Sequence, residues 1–208
     1  VGGSGWAHPY FTKTNISYLA NGDKLPVVFS INCHTGEFML DECFAEKFLR
    51  QSNGGAVGVF AASYYSLSGY NDAFAMGVVD AIWSGPGLLP DFGSGGISNP
   101  YVTQHDDIVT MGDVLNHGLM RILSTWNGDP TANRYEHELF HYFGDPAMKI
   151  WTEAPTSITA SHDNSLSLGS TDFDITSSSC DDGLATLYFN GKLVGKTQLS
   201  NGSAKITF

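Results

Sequence analysis

Residues 25–38 constrain this chain more than any other stretch. Positions 27–31 (Val-Val-Phe-Ser-Ile) are short, mostly apolar and rich in β-branched side chains, bounded by Pro26 and by Asn32-Cys33-His34-Thr35-Gly36. That is the composition of a buried strand running into a turn. Apolar positions 44, 45, 48 and 49 then mark a helix, with Asp41 as its expected N-cap. Gly54-Gly55 stops the helix, and residues 56–63 read as a second buried strand. Strand, turn, helix and strand make a βαβ unit, so 27–32 and 56–62 are expected to be adjacent parallel strands with a right-handed crossover. Cys33 then stands at the carboxyl end of the first strand, the edge at which open α/β sheets bind ligands and a position suited to a nucleophile. A buried core cysteine is the plain alternative for a lone thiol.

The residues Asn32-Cys33-x-x-Gly36-Glu37-Phe38, then Cys43-Phe44-Ala45-Glu46, then Gly55-Ala56-Val57 resemble the gingipain-like cysteine peptidases, which share their core with caspases. The resemblance implies a caspase-like three-layer α/β domain, represented here by its carboxyl-terminal part over residues 1–152, with Cys33 as the nucleophile. It implies an oxyanion hole made by the backbone of Cys33 together with Val1 and Gly2. The family carries a His-Gly-Ser segment before a Trp, and that His is the partner of the cysteine. Matched without a gap back from Cys33 to Trp6, the His falls immediately before Val1. With a gap, the segment falls on Gly2-Gly3-Ser4 and the His is replaced. A thiol of pKa near 8.5 is only a few per cent thiolate at neutral pH, so the imidazole matters both for activation and for protonating the leaving amine.

His34 is expected to line the cleft rather than serve as that base, because neighbours at a strand end point to opposite sides. In the family the loop matching Ser63, Tyr64 and Tyr65 walls the specificity pocket and often holds a Trp. Tyrosines replace it here, so these residues with His34 are the expected substrate contacts. The resemblance thus implies a cysteine endopeptidase acting on protein or peptide substrates, inactive as the 208-residue chain alone. The alternative is an inactive peptidase-like scaffold working in protein secretion or as an interaction platform.

A net charge of −11 and a pI near 4.8 argue against a nucleic-acid partner, which needs clustered Lys and Arg. No apolar run approaches the roughly 18 residues of a membrane-spanning helix. Three cysteines are too few for a disulfide framework. Asp72 is the expected cap of a helix with apolar positions 74, 75, 78, 79 and 82, and residues 84–112 read as a long loop rich in Gly, Pro, Asp and Ser. Asp91, Asp106 and Asp107 there are oxygen donors of the kind calcium takes, and some members of the family bind calcium, although no cofactor is required. A strongly amphipathic helix is expected over 112–126 and another over 132–143. The latter contains His137-Glu138-Leu139-Phe140-His141, the pattern of a zinc protease helix. Asp145-Pro146 cuts it short and Ala147 stands where a third ligand would be, so no catalytic metal is expected there.

Beyond Ala154-Pro155 the texture changes to short alternating runs separated by Ser, Thr, Asn and Asp, with Asn190-Gly191 as a hairpin turn. Residues 153–208 are expected to form an all-β module, an immunoglobulin-like sandwich cut short. The chain starts without Met and stops inside an apparent strand. It reads as a piece of a longer polypeptide, whose upstream and downstream parts would be its partners, and the resemblance places that polypeptide outside a bacterial cell or on its surface.

Overall fold

Residues 5–84 and 105–208 are described in a computed structural model of the chain. By internal contacts the chain divides into two units, Val1–Thr152 and Glu153–Phe208. In the first, the elements in order are β1 (Gly5–Trp6), β2 (Phe11–Thr12), α1 (Lys13–Ile16), β3 (Val27–Ser30), α2 (Phe44–Arg50), β4 (Gly58–Ala62), α3 (Ser68–Ile82), α4 (Met111–Thr125), α5 (Pro130–Leu139) and β5 (Phe140–Phe143).

Strand β4 explains the architecture. All five of its residues are buried, and they alternate between two apolar cores. Val59 and Ala61 face Ile16, Phe44, Ala45 and Phe48 of α1 and α2. Phe60 and Ala62 face Phe74, Val78, Met111 and Ile122 of α3 and α4. A strand sends successive side chains to opposite faces, so an uninterrupted apolar run requires cover on both. Helices supply it, and the unit is a three-layer α/β structure. Each large side chain buried this way contributes about 1.5–3 kcal/mol relative to exposure. As the sequence suggests, β3 and β4 are parallel neighbours, with Val27 opposite Gly58 and Ser30 opposite Ala61.

Three boundaries differ from expectation, each for a physical reason. Helix α2 begins at Phe44 with Cys43, not Asp41, at its N-cap, because the Glu46 carboxylate accepts from the Cys43 N–H at 2.8 Å. Helix α3 begins at Ser68, leaving Asp72 inside it. A carboxylate distant in sequence, Glu136 of α5, accepts from the N–H of Leu67 at the N-cap at 2.8 Å and replaces a local cap. The third difference is larger. The expected helix 132–143 stops at Leu139, and Phe140, His141, Tyr142 and Phe143 form β5, antiparallel to β4. Three of these four residues are aromatic and favour a pleated surface. Pairing with β4 also buries Phe140 in the α3–α4 core. The histidines of the zinc-protease pattern therefore stand on different elements.

The second unit contains β6 (Ala160–His162), β7 (Asp172–Ser177), β8 (Gly183–Phe189), β9 (Lys192–Leu199) and β10 (Ser203–Thr207). All pairings are antiparallel, in a sheet of order β10-β7-β6 and a hairpin β8-β9. Asn190 and Gly191 at the hairpin turn have φ of +49° and +75°, as a type I′ turn demands. Phe173, Leu199, Ala204 and Ile206 are its buried side chains.

Candidate active site

Cys33 follows the last residue of β3 by three positions and is half-buried. The turn carrying it is tied at three points, to β4, to the loop after β4 and to α2. The N–H of His34 donates to the Tyr64 carbonyl at 3.0 Å, that of Gly36 to Ala62 at 2.9 Å, and that of Ala45 to Thr35 at 2.9 Å. Gly36 is required by closeness, since a Cβ there would meet the Phe143 ring at 2.8 Å and the Ala61 Cβ at 3.0 Å. His34 has φ of +64°, a conformation rare outside glycine. Such strain persists where surrounding contacts over-determine it.

Those contacts decide what His34 can do. It is buried, its Nδ1 lies 2.7 Å from Glu37 Oε2, and its ring packs on Tyr64 and Tyr65 at centroid distances of 5.0 and 4.2 Å. It supports the turn and the tyrosine loop, and it is absent from the residues lining the cavity at the thiol. The sulfur of Cys33 meets the loop after β4: Ser66 N–H donates to Sγ at 3.3 Å, and the thiol donates to the Ser66 carbonyl at 3.4 Å.

An open cavity of about 680 Å³ adjoins the thiol, lined by Trp6, Ala7, His8, Phe29, Ile31, Asn32, Cys33 and Tyr65. Trp6 is fixed there by its indole N–H, which donates to Ser30 Oγ at 2.8 Å. Ser30 Oγ also lies 2.8 Å from Asn32 Oδ1 and 2.9 Å from Thr35 Oγ1. The amino-terminal segment at Trp6–His8 and the cysteine turn thus share one cavity. Val1 and Gly2, the expected oxyanion contributors, lie outside the described residues.

Of the other expected substrate contacts, Tyr65 lines the cavity and Tyr64 is half exposed. Tyr65 is held through its carbonyl, which accepts from the Tyr135 hydroxyl at 2.8 Å. Ser63 is turned to the sheet, its N–H on Leu139 and its hydroxyl 3.3 Å from His141 Nε2. His8 was missed by sequence reasoning. It sits in a loop with no periodicity, and only its place two residues after the Trp could have drawn attention to it.

The histidines of the zinc-like pattern do not converge. His137 on α5 holds its Nδ1 2.9 Å from the Asn133 carbonyl, as a helix-surface residue does. His141 on β5 packs against Phe38, and burial pushes its pKa down. Of the expected calcium donors, Asp91 lies outside the described residues. Asp107 accepts from the Ser84 N–H and hydroxyl at 3.0 and 2.8 Å, which holds its carboxyl below the usual range. The Asp106 carbonyl is engaged by His105 at 2.8 Å.

This geometry has relatives. The family model of peptidase family C25 matches residues 1–151. The chain belongs to that family. Among curated C25 relatives, gingipain R1 and gingipain R2 of Porphyromonas gingivalis are each 24% identical to it over 207 residues, or 97% of this chain. The chain spans 19% of the length of that gingipain R1 and 25% of that gingipain R2. The crystal structure of the Arg specific cysteine proteinase gingipain R (RgpB) superposes with a TM-score of 0.70 at 20% identity, covering all of this chain and 44% of the other. The complex of the Porphyromonas gingivalis RgpB pro- and mature domains gives 0.69 at 20% identity. The fold of this C25 member is accordingly of the caspase-like α/β type, and its family is one of cysteine peptidases.

Proposed function

We propose that this chain is the carboxyl-terminal part of the catalytic unit of a cysteine endopeptidase, with Cys33 as the nucleophile and a histidine just upstream of Val1 as its base. The observation that carries the reading is the placement of Cys33 at the carboxyl end of β3, its sulfur against the Ser66 N–H and beside a cavity. The base takes the thiol proton, the thiolate attacks the peptide carbonyl, and the imidazolium returns the proton to the leaving amine. Backbone N–H groups at Cys33 and at Val1 and Gly2 would hold the oxyanion. His34, Ser63, Tyr64 and Tyr65 shape the substrate side, Tyr65 directly and the others through the loop it belongs to.

The solved relative is described as Arg specific. Among the described residues lining the cavity here none is acidic, so an arginine side chain finds no ion pair in that lining. The second unit serves as an immunoglobulin-like module following the peptidase domain, and the polypeptide works outside the bacterial cell or on its surface. Calcium, if taken, would be a structural addition at oxygen donors such as Asp106 rather than part of the chemistry.

A second reading is favoured by one observation, that His8 lines the cavity containing Cys33. It makes His8 the base within this chain. Hydrolysis of a quenched fluorescent peptide library distinguishes the two, using the 208-residue chain and a polypeptide extended upstream, each with Cys33→Ala and His8→Ala. Only the extended polypeptide is expected to cleave, losing activity on Cys33→Ala and keeping it on His8→Ala. Cleavage by the 208-residue chain that disappears with His8→Ala would transfer the role to His8. No cleavage by the extended polypeptide would leave the inactive scaffold, acting in secretion or as an interaction platform.

A further inference from the structure

We propose that Asp80, His105 and His117 form a binding site for a zinc-class divalent cation, apart from the cysteine cavity. Asp80 stands in the last turn of α3, His117 in the second turn of α4, and His105 in the segment that leads into α4. One donor atom from each lies within 4.8 Å of the other two. Asp80 Oδ2 is 3.0 Å from His117 Nε2 and 3.4 Å from His105 Nε2. Zinc bonds nitrogen and carboxylate oxygen at about 2.0–2.2 Å in tetrahedral geometry, which sets ligand atoms about 3.3–3.6 Å apart. The observed separations need little adjustment to become edges of such a tetrahedron.

The hydrogen bonding of His105 fixes its tautomer. Its Nδ1 lies 2.8 Å from the Asp106 carbonyl oxygen, which only accepts, so Nδ1 carries the hydrogen. In the neutral ring the Nε2 lone pair then faces a carboxylate oxygen. Two acceptors pointed at one another require a positive charge between them, either a second proton on the ring or a metal ion. A metal-bound histidine ordinarily donates its other N–H to a carbonyl or carboxylate in this way. The carboxylate is a demanding partner because the Asp80 side chain is only 11% exposed, against 21% and 26% for the two imidazoles. The rings stand 4.6 Å apart at an interplanar angle of 57°, open enough for an ion between them.

The donor set selects the metal. Two imidazoles and one carboxylate suit zinc and its first-row neighbours, whereas calcium and magnesium require oxygen. Three protein ligands leave a fourth position for water. A charge of the same sign as the ion stands at Arg121, one turn beyond His117 on α4, where it feels the Asp80 carboxylate. It weakens the attraction for a dication without entering the ligand set. Asp107, two residues beyond His105, acts in the favourable direction. An ion here would fasten the segment entering α4 to the facing ends of α3 and α4.

Calorimetric titration of the 208-residue chain with Zn²⁺, joined to metal analysis after dialysis, tests this. One equivalent is expected to bind and raise the melting temperature. His105→Gln and His117→Gln should each weaken binding at least about tenfold, while His137→Gln should change nothing. His105 lies on a partly exposed segment, so its variant should melt like the metal-free parent. Co²⁺ in place of zinc should give d–d absorption without a thiolate charge-transfer band. Absence of saturable zinc binding, or stoichiometric zinc that survives in the His105→Gln/His117→Gln double variant, overturns the proposal.

Discussion

The backbone N–H of Ser66 points at the sulfur of Cys33 from 3.3 Å, while the carbonyl of the same residue accepts from that sulfur at 3.4 Å. One residue of the loop after β4 therefore has a partner for each protonation state of the thiol. The carbonyl favours the thiol and the amide favours the thiolate, since a hydrogen bond donated to an anion stabilises it. The Ser66 hydroxyl lies 3.6 Å from the sulfur and adds a second donor. The two strands and the loop between β4 and α3 thus give the sulfur a defined orientation before any substrate arrives.

Thiol alkylation reads this directly. Cys43 is fully buried at the start of α2, and burial pushes its thiol up to about 11. The Cys33 sulfur stands on a half-buried turn beside an open cavity, within reach of a reagent that cannot touch Cys43 in the folded chain. Iodoacetamide applied to the folded chain should therefore modify Cys33 and leave Cys43 untouched until denaturant is added. Peptide mass spectrometry checks this, and labelling of Cys43 at the rate of Cys33 in the folded chain would contradict it.

The close packing of α3 on α4 rests on glycine. A Cβ at Gly77 would stand 2.5 Å from the Arg121 Cβ and 2.9 Å from the Gly118 Cα, and one at Gly118 would meet Phe74 and Val78 at 2.8 Å. These neighbours are backbone atoms, a Cβ fixed to its backbone and packed core side chains, so the helices themselves would have to separate. Gly77→Ala gains some intrinsic helix propensity, yet overpacking costs about 1–3 kcal/mol and should win. Urea unfolding of parent and variant measures the sign. A Gly77→Ala chain at least as stable as the parent would show that the two helices yield without cost.

Much of the first unit was legible because its signals are local and repeated. The run at 27–31, the turn with Cys33 and the second run at 56–62 state a βαβ unit, and in the second unit Asn190-Gly191 states the β8–β9 hairpin with equal directness. The failures share one cause, tertiary partners distant in sequence. Asp41 and Asp72 are sound local caps, but Glu46 caps α2 from inside the helix and Glu136 caps α3 from 69 residues away. Residues 140–143 continue a helical period, yet the free edge of β4 takes them as a strand. That same exchange of helix for strand is what separates His137 from His141. The place of His8 beside Cys33 and the meeting of Asp80 with His105 and His117 also lie beyond local reading, since each depends on how segments 25 or more residues apart are brought together.

Glu136 provides a test of these long-range caps through pH. Its side chain is completely buried, one carboxylate oxygen accepts from the Leu67 N–H, and the other has no partner among the described residues. Burial disfavours the charged form and raises the pKa above its ordinary 4.5, and the Leu67 hydrogen bond opposes this only in part. In the window between 4.5 and the raised value, the folded chain holds a proton that the unfolded chain releases. Stability from this group is therefore greatest below 4.5, falls as pH rises through the window, and is level above it. Glu136→Gln keeps an amide oxygen to accept from Leu67 and cannot ionise, so it removes the slope. Urea unfolding across that pH range should show the variant gaining on the parent as pH rises, whatever constant offset the substitution brings. Tyr70 and Tyr135 both feel the Glu136 charge, but each is raised from an ordinary 10.0 and so titrates well above this window. A difference between parent and variant that stays constant across the range would mean that Glu136 is not held at a raised pKa.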